Sequence, residues 1–381
     1  MWSKNFAGGA LPVFLSPMAG VTNAAFRQLC AQQAALGLAE STAAEKPQFV
    51  FVCEMITAGG IAHRIPRTFS MLQFFPGERR AVQLYGTDPA IVAKAAEILC
   101  AEFGVELIDL NFGCPVPKVT RKGGGGALPW KLDRTAGLLG AAVKAAEPYG
   151  VPVTVKTRIG IDAEHTTYLD LGRIAQDVGI AAVTLHARSV QQAYSGQADW
   201  EAIATLVNTI SIPVVGNGDL WEAADAARMR KQTGCASVAI GRGCLGRPWL
   251  FRDLARGPSA QTTLPRLGEV NQIVYRHAEL LAELNGEKWG LTDLRKHMAW
   301  YYRGFPIGGE LRRQLALVSS LADLRQLQDE MDASAVFPTA ELGQPRGRQG
   351  NPRDKVHLPY GWLDSRTLGD AEVPEDDTSG G

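Results

Sequence analysis

The sequence predicts an α/β fold, a (β/α)8 TIM barrel over residues 1–257 followed by a small α-helical domain over 258–337. Three observations carry this. Short apolar runs recur eight times, segments with helical spacing separate them, and the strand pattern stops near Gly257-Pro258-Ser259. Eight strands with helical crossovers over roughly 250 residues match the arithmetic of such a barrel. A doubly wound open sheet is the alternative. It would usually place a phosphate-binding glycine loop after the first strand, where this chain has Pro17-Met18-Ala19.

In order, the predicted strands are Val13–Ser16, Val50–Glu54, Ala81–Leu84, Leu107–Asn111, Val153–Lys156, Ala182–His186, Val214–Asn217 and Ser237–Gly241. Between them Ile91–Phe103, Thr135–Ala146, Tyr168–Asp177 and Trp221–Lys231 carry apolar residues three and four apart, the mark of helices. From Arg266 to Asp332 only helical periodicity remains. Residues 338–381 turn rich in Gly, Pro and Arg (Pro345-Arg346-Gly347-Arg348) and end with Glu372, Glu375, Asp376 and Asp377. Such composition buries little apolar surface, so a largely mobile tail is expected, with His357–Leu363 the part able to dock.

Bulk composition narrows the function. The 39 basic and 39 acidic residues cancel, so any nucleic-acid site must be a local patch. The six cysteines form no CxxC pair and have no histidine at zinc-ligand spacing, which predicts reduced thiols and no metal site. Met1-Trp2-Ser3-Lys4-Asn5 has no apolar signal core, and no run reaches the ~18 apolar residues of a membrane span. A cytoplasmic protein away from membranes is expected.

The chemistry gathers at the predicted strand ends. Asn111-Phe112-Gly113-Cys114-Pro115 puts a thiol on a loop after a buried strand. Between Leu110 and Leu132 the basic residues Lys118, Arg121, Lys122 and Lys131 meet no acidic one, which suits an anionic partner. A cysteine is more often a small buried hydrophobe, but flanking glycines let a backbone approach a ligand. Polar residues at nearly every strand end exceed what packing needs: Glu54, Gln83, Asn111, Lys156, Arg158, His186 and Arg188. The last two loops, Gly216-Asn217-Gly218-Asp219 and Gly241-Arg242-Gly243, stand where this architecture frequently binds phosphate. Were that phosphate part of a flavin mononucleotide, Lys156 would face the N1–C2 edge of the ring, where negative charge develops on reduction. Gln83 and Asn111 would suit the ring's donors and acceptors, His186 the ribityl–phosphate side, and Pro17-Met18-Ala19 the backing.

Seven motifs together resemble the tRNA-dihydrouridine synthases, with the bacterial B-type branch the nearest in pattern. They are SPMAGVTNAAFR (16–27), VQLYG (82–86), DLNFGCPVPKVTRKGGGGAL (109–128), VKTRIG (155–160), LHAR (185–188), GNGD (216–219) and AIGRG (239–243). The resemblance implies an FMN-dependent barrel that reduces the C5–C6 double bond of particular uridines in tRNA. NADPH would reduce the flavin, hydride would pass to C6, and Cys114 would protonate C5. A thiol near its ordinary pKa of ~8.5 stays protonated at neutral pH and can donate. The target nucleotide would be extruded from the tRNA fold. FMN would be held by Pro17, Met18, Ala19, Gln83, Asn111, Lys156, His186, Asn217, Gly218, Asp219, Gly241 and Arg242. Lys118, Arg121, Lys122, Arg188, Arg295, Lys296 and Arg303 are the candidate tRNA contacts, and a monomer is expected without tRNA.

Within Arg295–Arg313 basic residues interleave with Trp300, Tyr301, Tyr302 and Phe305, which packing of a helical core explains at least as well as base stacking. The chain departs from the family pattern in three places: an insertion at Leu36–Gln48, the glycine-rich RKGGGGALPW loop, and the tail after Phe337. Two rival readings are an FMN barrel acting on a free pyrimidine, similar to dihydroorotate dehydrogenase, and an RNA-binding protein without turnover. A small substrate needs neither the basic cysteine loop nor the helical region, and a mere binder needs no Cys114.

Overall fold

The computed structural model describes residues 12–43 and 45–368. Nine strands form one parallel sheet: β1 (Val13–Leu15), β2 (Phe49–Phe51), β3 (Ile56–Thr57), β4 (Ala81–Tyr85), β5 (Leu107–Phe112), β6 (Val153–Arg158), β7 (Ala182–His186), β8 (Val214–Asn217) and β9 (Ser237–Ile240). Their order across the sheet is β2-β1-β9-β8-β7-β6-β5-β4-β3. The ninth strand arises because two short strands follow where one was predicted. β2 overlaps the predicted Val50–Glu54 and pairs with β1, β3 lies just beyond that range and pairs with β4, and between them Val52 bridges Ala81. The two ends of the sheet are thus consecutive pieces of one chain passage, and the sheet curls to bring them together.

Alternation along the strands explains the two layers of the core. Phe14, Val50, Val52, Ala81, Leu107, Val215 and Ala239 fill the inside of the curl. Their neighbours, such as Leu15, Phe51, Val82 and Ile108, face outward into the cluster shared with the helices. Helix α1 (Ala24–Glu40) follows β1 and α2 (Pro89–Phe103) follows β4. The α2 entry has Asp88 accepting from the amides of Ala90 and Ile91, with Pro89 in the first turn. Gly104, at φ 56°, closes its far end. Further helices α3 (Leu132–Ala146), α4 (Tyr168–Asp177), α5 (Trp200–Thr209), α6 (Ala223–Thr233) and α7 (Leu250–Arg256) complete the crossovers. Among the described residues no helix is long and apolar enough to cross a membrane.

Helices α8 (Leu267–Asn285), α9 (Glu287–Tyr301), α10 (Gly309–Leu315) and α11 (Leu321–Asp329) follow. Their apolar faces form a second cluster that includes Val274, Leu281, Leu294, Tyr301, Tyr302 and Phe305, together with Ala25 and Leu29 of α1. Tyr301, Tyr302 and Phe305 are therefore core residues.

Two expectations need correction. Residues 36–40 continue α1, so the inserted segment is shorter than 36–48 and begins at its C-terminus, where Lys46 Nζ donates to Leu38 O at 2.7 Å. The tail was expected to be largely mobile; residues 338–368 stay mostly exposed or half-buried but are tied to the rest of the molecule at several points. Arg346 and Trp362 are buried, and the Leu132 amide donates to Arg366 O at 2.8 Å. The physical reason is polar anchoring: Arg303 and Arg242 donate to the tail carbonyls of Pro345 (2.6 Å) and Arg348 (2.7 Å). A composition argument weighs only apolar burial and overlooks such contacts. The acidic residues at 372–377 lie outside the described residues.

Candidate active site

At the C-terminal ends of the strands lies a cavity of about 430 Å³. All twelve predicted cofactor contacts and Cys114 line it. Strand pairing explains the convergence. Asn111 on β5 and Lys156 on β6 are direct partners, as are Arg158 with His186 and His186 with Asn217.

One side is a chain of hydrogen bonds running from the sheet interior to the cysteine loop. Thr154 Oγ1 and Gln83 Nε2 both donate to the buried Asp109 carboxylate, at 2.7 and 2.6 Å. Gln83 Oε1 accepts from Asn111 Nδ2 at 2.9 Å, and Asn111 Oδ1 accepts from the amides of Gly113 and Cys114 at 3.0 Å each. Asn111 is thereby oriented in a single sense, and its carbonyl sets the turn that presents Cys114. Burial raises the Cys114 thiol above its ordinary pKa, against the opposing pull of the Val116 amide, Arg158, Arg353 and Lys156. The thiol is held protonated, as a proton donor requires and a nucleophile does not.

Lys156 and His186 are the unsatisfied groups. Neither has a hydrogen-bond partner among the described residues, although both face the cavity. Burial, with Arg158 nearby, lowers the Lys156 ammonium to about 8. Burial also drives His186 well below its ordinary value, with Arg158, Lys156, Arg188 and Arg242 adding repulsion, so the imidazole is neutral at pH 7. A planar anionic ligand would meet both needs: an acceptor for the ammonium and a partner for the imidazole.

The opposite wall is the pair of glycine loops. Gly218 adopts φ +121° where a Cβ would come within 2.7 Å of Ala198 Cβ, so the position excludes any side chain. The side chains on this wall behave differently from the sequence expectation. Asn217 Nδ2 donates to Ala239 O at 2.6 Å, joining β8 to β9, and the Asp219 carboxylate accepts from Arg188 at 2.8 and 2.9 Å and from the Ala198 amide at 2.7 Å. Both residues shape the loop through their backbone position, since their side chains are committed elsewhere. Arg242 lies over the rings of Tyr194 and Trp221, at 4.8 and 5.1 Å. Burial, with Arg188 nearby, lowers its guanidinium to about 10, which leaves it charged.

The predicted nucleic-acid contacts do not converge on the cavity. Lys118, Arg121 and Lys122 are exposed beside the cysteine loop. Arg188 is not presented to solvent: it is 2 % exposed, and its Nε and Nη2 donate to Ser195 O, Gly196 O and Asp219, so it braces two loops. Arg295 Nε donates to Val318 O at 2.8 Å, Lys296 pairs with Asp293, and Arg303 pairs with Glu341 at 2.7 Å.

A family model described as dihydrouridine synthase (Dus) matches residues 14–336. The chain belongs to the dihydrouridine synthase family. Among its relatives, a probable tRNA-dihydrouridine synthase of Mycobacterium tuberculosis is 50 % identical over 372 residues, covering 96 % of this chain and 92 % of that protein. The tRNA-dihydrouridine synthase B of Vibrio vulnificus is 34 % identical over 325 residues, covering 84 % and 95 %. A probable tRNA-dihydrouridine synthase of Rhodobacter capsulatus is 35 % identical over 329 residues, covering 85 % and 96 %. As a dihydrouridine synthase, the chain is a flavin-dependent oxidoreductase. Sequence reasoning missed several residues on the cavity wall of this synthase: Met55, Tyr194, Trp221, Trp300, Arg348 and Arg353. Trp300 was read as a core aromatic or a base-stacking one and not as a wall of the cavity, and the two tail arginines carried no positional signal because their segment has no periodicity.

Proposed function

We propose that this synthase reduces the C5–C6 double bond of uridines in tRNA, with FMN in the 430 Å³ cavity, NADPH as electron donor and Cys114 as the acid that protonates C5. The observation that carries the reading is the cavity itself. A protonated thiol, an unpartnered ammonium and an unpartnered neutral imidazole share one pocket rimmed by glycine loops.

The residues fit the flavin. The Gly218 and Gly241–Gly243 backbone with Arg242 would hold its phosphate, Lys156 and His186 would meet polar atoms that the chain leaves unmatched, and Met18 and Ala19 would back the ring. When bound, the flavin supplies hydride to C6 of the base. The chain does the rest. Asn111 fixes the loop, and Cys114 Sγ keeps its proton at neutral pH and gives it to C5. Arg158, whose Nε donates to Gly113 O at 2.8 Å, holds the same loop from below.

On this reading the curled sheet is the (β/α)8 barrel, residues 258–337 are a tRNA-binding helical domain, and the enzyme acts as a monomer in the cytoplasm. Lys118, Arg121 and Lys122 follow the cysteine within eight residues on an exposed surface and would meet phosphates. No reading of a free-pyrimidine reductase explains that basic rim.

The test is to reduce the flavoprotein anaerobically with NADPH and mix it with unmodified tRNA. Flavin reoxidation with dihydrouridine in the product supports the proposal. Reoxidation by a free pyrimidine but not by tRNA overturns the substrate, and absence of bound flavin overturns the site. Cys114→Ala is expected to keep flavin and tRNA binding and to lose about 10²-fold or more of the reduction rate, the scale of a general acid. Full activity in that variant would remove Cys114 from the mechanism.

A further inference from the structure

Two features that depart from the general family pattern, the glycine-rich loop after Cys114 and the segment after Phe337, meet in space. Gly126 N donates to Cys114 O at 3.0 Å, and a Cβ on Gly125 would lie 2.7 Å from Cys114 O, so the glycine run wraps the cysteine. The outer side of the run is occupied by the tail. A Cβ on Gly123 would lie 2.4 Å from the Trp362 ring, and Trp362 Nε1 donates to Ala127 O at 3.0 Å. Buried Lys131, at the end of the same loop, donates to Ser365 O at 2.8 Å and lies 5.0 Å from the Trp362 ring. Arg366 stacks over Trp130 at 4.2 Å and pairs with Asp170 at 2.6 Å.

On the cavity side Arg353 closes the arrangement. Its guanidinium donates to Pro115 O, next to the cysteine, and its amide donates to Gln191 O at 3.0 Å. Arg348 and Arg353 also form part of the cavity wall. The tail therefore touches the cysteine loop at Pro115, directly after Cys114, and again at Gly123–Ala127 further along the same loop. The matched family region ends at residue 336, so this strap lies beyond it.

We propose that residues 346–368 are an intramolecular strap whose Arg353 and Trp362 are positioning residues: they hold the loop that presents Cys114 at the cavity. The functional part of this inference rests on the proposed reduction reaction, while the clamping itself does not. Trp362 fills the space that the glycine run leaves open, and Arg353 fixes the carbonyl adjacent to the thiol.

The experiment compares full-length Trp362→Ala, Arg353→Ala and Arg353→Lys with the parent flavoprotein. Two readouts are taken: single-turnover oxidation of pre-reduced enzyme by saturating tRNA, and the rate of Cys114 alkylation by iodoacetamide. Cys114 is the one cysteine of the six that is not buried, so alkylation reports on its loop. Trp362→Ala and Arg353→Ala are expected to oxidise about ten- to a hundredfold more slowly, the scale of an ångström's misplacement. Flavin content, flavin reduction by NADPH and tRNA affinity should be unchanged, and alkylation should be several-fold faster. Arg353→Lys, which keeps a donor for Pro115 O, should recover most of the rate.

Weaker tRNA binding with an unchanged rate at saturation would overturn the proposal in favour of a phosphate contact. Loss of flavin and of both half-reactions together would overturn it in favour of a general folding role. Unchanged alkylation in both variants would overturn the clamp whatever the substrate. If the parent itself is not reoxidised by tRNA, the proposed reaction fails, while alkylation still decides the clamp.

Discussion

At the scale of single residues the site is a set of groups whose electrostatic needs are left open by the protein. Lys156 shows this most clearly. It sits among Arg158, Asp109 and Cys114, and burial has already lowered its pKa to about 8. An anionic ligand edge would raise that value, because it favours the charged ammonium, so binding and protonation are linked. The ammonium is largely formed at pH 7 in the free protein, is half lost at about pH 8 and disappears as pH rises further. Flavin binding should therefore be tightest below pH 8 and weaken above it. Lys156→Met should weaken binding about tenfold or more, the scale of a hydrogen bond to a charged group, and should flatten the pH dependence. Flavin titration of stripped protein at pH 7 and pH 9 measures both. An unchanged affinity in the variant would remove Lys156 from the contact. Such a residue is legible in sequence because a lysine ending an apolar strand has no packing reason to be there. What the sequence could not show is that Asn217 and Asp219 turn their side chains away, since two residues of the same loop look alike until their partners are known.

At the scale of elements the strands were legible where their apolar runs are continuous, and their order followed from right-handed crossovers. The second strand was not, because Val52–Ile56 leaves one neighbour before joining the next, and no residue type marks that change of partner. Loops were legible only as glycine content. Their bracing comes from Arg188, which the sequence offered as an RNA contact. Its guanidinium joins the loop after β7, through Ser195 O at 2.9 Å and Gly196 O at 2.6 Å, to Asp219 on the loop after β8. Removing it leaves the partly buried Asp219 carboxylate with only the Ala198 amide at 2.7 Å and the more distant Arg242 at 3.9 Å, a loss of at most about 3 kcal/mol, the lower end of the range for breaking a buried pair. Arg188→Met should lower the melting temperature by several degrees and release flavin, without changing the salt dependence of tRNA binding. A variant that keeps its flavin and stability but loses salt-sensitive tRNA affinity would restore the RNA role.

At the scale of the whole molecule the two hydrophobic clusters meet at α1, and the contact carries an acid-sensitive pair. His277 on α8 and His297 on α9 are both fully buried, with ring centroids 4.7 Å apart, and Phe26 of α1 packs on each at 5.5 and 5.6 Å. Tyr301 OH lies 3.0 Å from His277 Nδ1, while neither ring nitrogen of His297 has a partner among the described residues. Burial, with Lys296 adding repulsion, lowers His277 to about 3. Burial, then His277 and Lys296, places His297 well below its ordinary value. Both rings are neutral in the fold and would take up protons in the unfolded chain below pH ~6.5. The unfolded state then binds more protons, so stability falls as pH falls below about 6.5, by about 1.4 kcal/mol per pH unit for His277 down to about 3, with His297 acting in the same direction. The effect belongs to the joint between the curled sheet's first helix and the helical region, where loss of packing separates the two clusters. The melting temperature should drop steeply between pH 7 and pH 5. His297→Phe, which keeps a ring against Phe26 and Trp300, should remove about half of that slope, because one of the two proton sinks of the unfolded state is gone. A melting temperature that is flat over this range in the parent, or a slope untouched by the substitution, would show that the pair does not set the acid limit of the fold.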